Sequence, residues 1–179
     1  MKQAYDEKTI SDLYESLIKR MRSGERLSPL DQNLGIVTGH ALDALELAKD
    51  INHPLDLFEL SAEKINAVVI AMYMYFSKQG NSSTKCRETV TKKIGAYLFF
   101  ATCNVCNQKA DIEAAPVAKG SSLYLEIKQE NGDCSLIDVF SPVERFIKNN
   151  LKYDKDAGTM IISDPDAIIN GINNQMISL

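Results

Sequence analysis

Residues 61–78 read SAEKINAVVIAMYMYFSK, and the segment from Ala67 to Phe76 is the longest unbroken apolar run in the chain. A bilayer span takes about 20 such residues, so a run of ten is too short to cross one. It reads instead as a helix buried in a globule. Ser61 offers an N-cap, and Gln79-Gly80-Asn81 supplies a stop. A helix that is apolar almost all round in its second half is expected at the centre of a helical bundle.

Upstream, Ser28, Pro29 and Asp31 form a helix start. Leu30, Leu34, Val37, Ala41, Leu45 and Ala48 then share one face to about Lys49, before Pro54 forces an end. Gly35 and Gly39 lie inside this helix, each at a cost of about 1 kcal/mol against alanine. Close approach of a neighbouring backbone would explain them, and a loop beginning at Gly35 is the competing reading. Earlier still, Ile10, Leu13, Tyr14, Leu17, Ile18 and Met21 make one apolar stripe, which Gly24 terminates.

Downstream of the central run, Ser83 or Thr84 begins a fourth helix whose stripe is Val90, Ile94, Tyr97, Leu98, Ala101 and Val105. The period changes after Pro116. Leu123, Leu125 and Ile127 alternate with Tyr124, Glu126 and Lys128 as a half-buried strand. Asn131-Gly132 is a hairpin signal, CSLIDVF a return strand, PVERFIKNNL a short helix, TMIIS a third strand, and Asp164-Pro165 opens a last helix. The expected class is therefore α+β and predominantly helical. A bundle of about four helices (1–112) precedes a small β-β-α-β-α segment (113–179) packed on it as one globule.

Composition agrees with a globule and excludes several classes. The chain of 179 residues is 45% hydrophobic and 25% charged, unlike a disordered protein. At this length roughly 70% of the unfolded surface can be buried, so no disulfide or metal is needed to hold a core. MKQAYDEKTISD lacks the apolar segment of a secretory signal. A cytoplasmic location, reduced thiols and no membrane association are the corresponding expectations. The net charge of −4 is uneven: residues 1–110 carry 14 Lys+Arg against 13 Asp+Glu, and residues 111–179 carry 6 against 11. Nucleic acid generally takes a strongly basic domain, so an anionic partner must rest on a local patch.

Three constellations bear on chemistry. Cys103-Asn-Val-Cys106 is a C-x-x-C pair that Cys86 and Cys134 could complete to four zinc ligands. The second close pair that makes such motifs specific is missing, and buried structural thiols are the alternative. Cys86, between Lys85 and Arg87, could also be a thiol of lowered pKa. The second constellation is basic: Lys78, Lys85, Arg87, Lys92 and Lys93 are opposed between residues 78 and 93 only by Glu88, a net of +4. The helix-turn-helix outline and the cations at a helix start, which the dipole disfavours, point to an anion such as nucleic-acid phosphate. A solvated face, or a dock for the acidic C-terminal segment, would look the same.

The third is Glu126-Ile-Lys128 on the predicted strand, with Asp111 and Glu113 upstream. An acid followed by a strand-borne E-x-K resembles the metal site of the restriction-endonuclease-like nucleases. The resemblance implies Asp111 and Glu126 as Mg²⁺ ligands and Lys128 as the residue that positions or activates water. A solvated ion pair on an exposed strand face is the other reading.

His40 and His53 assemble no Ser-His-Asp set, and neither a Walker loop nor G-x-G-x-x-G occurs. No cofactor is therefore expected. The resulting expectation is a non-enzymatic interaction or regulatory protein with a protein partner, of the shape and composition of adaptor, immunity and inhibitor proteins of bacteria and mobile elements. A nucleic-acid-binding regulator acting through residues 84–93 is the first alternative, and a Mg²⁺-dependent nuclease the second.

Overall fold

The computed structural model describes residues 2–177. The elements run α1 (Glu7–Arg22), α2 (Pro29–Asp50), α3 (Ala62–Lys78), α4 (Ser83–Asn107), β1 (Ile112–Lys119), β2 (Ser122–Gln129), β3 (Cys134–Ile137), α5 (Phe140–Asn149), β4 (Leu151–Asp154), β5 (Thr159–Ile162) and α6 (Ala167–Ile177). The class is α+β with helix predominant. The last two positions of the expected 113–179 segment lie outside the described residues.

The first four helices begin where a side chain accepts an orphan amide. Asp6 takes the Thr9 N–H at 2.8 Å, Ser28 that of Asp31 at 3.1 Å, Ser61 that of Lys64 at 3.3 Å, and Ser82 that of Lys85 at 3.1 Å. The cap of α4 is thus Ser82, one residue ahead of the expected start. Gly24 and Gly80, with φ of 86° and 89°, release the chain after α1 and α3.

Two expectations for the helices change. The central helix is α4 and not α3: every residue from Ile94 to Asn104 is buried, whereas α3 buries one face and leaves Tyr75 exposed. The reason is position, since α4 packs against α2, α3, β1 and α5. The glycines of α2 also behave differently from expectation. The helix runs unbroken through both, and no backbone comes close to either. A Cβ at Gly39 would lie 3.1 Å from the Tyr14 ring, whereas at Gly35 it would meet nothing within 4 Å. Tight approaches also occur at Gly95 of α4, where the Phe140 ring of α5 would stand 3.1 Å from an added Cβ, and at Gly171 of α6, where Pro142 would stand at 3.0 Å. Phe140 stacks on Phe99, with centroids 5.5 Å apart.

The C-terminal part holds two strands more than the alternation suggests. β1, β2 and β3 form an antiparallel meander in that order, and β4 pairs with β5. β1 reads IEAAPVAK, in which small alanines and Pro116 hide the period. Proline is tolerated there because β1 is an edge strand. Leu123, Leu125 and Ile127 bury one face of β2 as expected. β3 stops at Ile137, short of the expected return strand, because the Asp138 carboxylate accepts the amides of Phe140 and Ser141 and turns the chain into α5.

The few polar groups of α4 hold the irregular segments. Asn104, 2% exposed, accepts the Tyr5 N–H at 2.7 Å and donates to the carbonyls of Tyr5 and Leu57, both at 2.9 Å. Asn107 exchanges two hydrogen bonds with the Ala114 backbone at the head of β1. Tyr97 donates to the carbonyl of Asp56 at 2.6 Å, and burial pushes its phenol pKa well up.

Replacing Asn104 with alanine strands one amide and two carbonyls in the core. The expected loss is about 3 kcal/mol, or roughly 6–12 °C in Tm for a chain of this size. Thermal and denaturant unfolding of Asn104→Ala measure it, and a loss well under about 1 kcal/mol would refute the clamp.

Candidate functional site

Of the concave surfaces that touch α2, two share His40. The larger is a groove of about 490 Å³ between α1 and α2. Its α1 wall is Tyr14, Leu17, Ile18 and Met21, and its α2 side carries Gly35, Ile36, Gly39, His40 and Asp43. These α2 residues recur at helical spacing and form a second face beside the core stripe. Met21 and Ile36 are 54% and 61% exposed, so large apolar side chains stand in solvent along the groove. The sequence signal for it is Ile36, an apolar residue off the core stripe.

The second surface is a cleft of about 360 Å³ between α2, the α3–α4 turn and the first turns of α4. Lys85, Thr89 and Lys92 line it at i, i+4 and i+7, with Lys93 beside them. Phe76, Gln79 and Asn81 form the turn side and His40 the α2 side. Lys93, with a side chain 15% exposed, lies 3.4 Å from Asp43.

The five cations singled out in the sequence therefore separate. Lys85, Lys92 and Lys93 share the cleft, and Lys78, exposed in the last turn of α3, does not line it. Arg87 points away from it. Its guanidinium lies 5.8 Å over the Tyr73 ring and donates to the carbonyl of Ile147, in the last turn of α5. A cation there satisfies an orphan carbonyl and opposes the negative end of the helix dipole.

His40 joins the cleft although no sequence motif contains it. Burial lowers its pKa, Lys93 and Lys92 lower it further, and Asp43 opposes them. Its Nδ1 is buried without a hydrogen-bond partner.

The thiols do not form a centre. Cys86 and Cys103 lie seventeen residues apart on α4, about 25 Å along the helix, and Cys134 is exposed on β3. Burial pushes Cys103 up to about 12 and also raises Cys106 and Cys86, so Cys86 is the reverse of an activated thiol. Cys103 donates to the Ala114 carbonyl and Cys106 contacts the Met176 sulfur.

The nuclease-like residues are also apart. Glu126 and Lys128 form a pair at 3.5 Å on the outer face of β2. Glu126 lies opposite Ala115, and Asp111 precedes Ile112, the first paired residue of β1. Four ladder positions separate the two carboxylates, about 13 Å. Among the described residues no three His, Cys, Asp or Glu side chains gather as a metal-binding group.

Two measurements follow. Native protein treated with a chromogenic disulfide reagent should release one thiol equivalent quickly, from Cys134, and all four in denaturant; rapid reaction of two or more thiols would refute the burial. For His40, a folded-state pKa below the unfolded value of about 6.5 means that the fold favours neutral imidazole. Its contribution is complete above that value and is lost as pH falls through it toward the folded pKa. The stability difference between wild type and His40→Gln should therefore shrink on acidification across that window. Comparison of the chain with models of known families, with curated proteins and with solved structures finds no match.

Proposed function

We propose that this protein is a non-enzymatic interaction module that regulates or recruits a protein partner by taking an apolar helix of that partner into the α1–α2 groove. The observation that carries the reading is Gly35. A glycine inside a helix costs about 1 kcal/mol relative to alanine, and nothing in the fold uses the space above this one, where a Cβ would meet no atom within 4 Å. The space opens into a groove flanked by the exposed side chains of Met21 and Ile36. Sacrificed stability beside exposed apolar surface is what a binding site requires.

The shape suits a helix. Two antiparallel helices leave a linear channel, and an amphipathic helix fills it with apolar residues at i, i+3 or i+4, and i+7. Gln32, His40 and Asp43 supply polar groups among the lining residues, giving an apolar centre with polar surroundings. Full burial of the Ile36 side chain by a partner contributes about 1.5–3 kcal/mol.

The fold and the groove make separable predictions. Gly35→Ala should raise Tm by about 2–4 °C, the equivalent of about 1 kcal/mol. Gly35→Leu and Ile36→Glu should keep the fold and weaken partner binding at least about tenfold. A photo-crosslinking side chain placed at Ile36, with the same group at exposed Tyr153 as control, should trap one protein of defined mass in native cells, and Gly35→Leu should abolish the adduct. No adduct above the Tyr153 control refutes the reading. An adduct of two copies of this chain refutes a heterologous partner and reassigns the groove to self-association.

A further inference from the structure

Beyond the groove, we infer that the cleft lined by Lys85, Lys92, Lys93 and His40 is a binding site for a small phosphate ester of nucleotide size. Lys85 and Lys92 have no carboxylate within ion-pair distance among the described residues, and both side chains lie on the exposed face of α4. The lining holds three lysines and no carboxylate; Asp43 pairs with Lys93 from beside it, and Glu88, one turn from Lys85 and from Lys92, does not line the cleft, so two positive charges remain. Lys85 and Lys92 stand two turns apart on one face of α4, about 10 Å along the helix, and a dianion seated between them balances both charges.

The charge type suits phosphate. Lysine binds phosphate as a point charge, whereas the planar fork of arginine takes carboxylates and phosphates alike in bidentate fashion. The one nearby arginine, Arg87, is committed to Tyr73 and the end of α5. The cleft also exceeds the size of a free phosphate. Its volume of about 360 Å³ lies in the range of small-molecule sites, and Phe76 with Gln79 offers an apolar ring and an amide to the body of the ligand. A nucleic-acid track is a worse fit, because the cations end at the cleft, Lys78 stands outside it, and the chain as a whole is acidic.

His40 reports on occupancy. It faces Lys92 and Lys93 from α4 and Asp43 from its own helix. His53 lies thirteen residues on, past the end of α2, about 20 Å away. The full-length protein, isotopically labelled at histidine, is titrated with ADP, with inorganic phosphate and with a short single-stranded oligonucleotide, and the two imidazole spectra are followed. ADP should shift His40 saturably and leave His53 in place, phosphate should do so more weakly, and added salt should weaken both.

Lys85→Glu and Lys92→Glu, at exposed positions, should reduce ADP affinity about tenfold or more. Lys78→Glu makes the same charge change outside the cleft and should stay within about twofold. Asp43→Asn frees Lys93 and should tighten binding severalfold. The assignment is overturned if His40 is unmoved by millimolar ADP, if Lys78→Glu weakens binding as much as Lys92→Glu, or if the oligonucleotide binds while ADP does not.

Discussion

Burying α4 on all sides from Ile94 to Asn104 imposes one demand that the rest of the molecule answers: every irregular segment that passes this stretch must find hydrogen-bond partners away from water. Asn104 and Asn107 meet part of that demand. One side chain ties the segment before α1 to the loop before α3, and the other fixes the first residues of β1. A buried amide or carbonyl left alone costs about as much as several net hydrogen bonds contribute. These two residues therefore decide where the chain can run, while Phe99, Phe100 and Leu98 supply the apolar area around them.

With the second half of α4 enclosed, the recognition surfaces lie on α1, α2 and the exposed first turns of α4. α2 has a core face and, a fraction of a turn away, a second face carrying Ile36, Gly39, His40 and Asp43. That second face divides the groove from the basic cleft. His40 lines both, and Asp43 lines the groove while pairing with Lys93 of the cleft. The pair holds little energy in itself, because Asp43 is mostly exposed. Its interest is placement, since it puts the charges of the cleft next to the polar edge of an apolar channel.

Much of the polar chemistry visible in the sequence is absorbed by structure. Arg87 closes the end of α5, Glu126 and Lys128 neutralise one another on an outer sheet face, and three of the four thiols are buried among apolar side chains. Each has the residue type of a functional group and the environment of a structural one. Lys85 and Lys92 are the contrary case, with no carboxylate within ion-pair distance among the described residues.

Local rules made the four long helices legible before any coordinates. Ser28, Ser61, Gly24 and Gly80 act through hydrogen bonds and dihedral preferences spanning three or four residues, so the chain declares them by itself. The apolar period of 3.6 and its change to 2 after Pro116 declare the α+β class in the same way. Tertiary structure alone decided that α4 and not α3 is central, that β1 is a strand despite Pro116, and that His40 stands beside lysines some fifty residues away. The burial of a helix depends on what packs against it, an edge strand exists only once a neighbour offers its ladder, and a cleft is made by elements that meet in space. None of these is encoded within the reach of a single turn of chain.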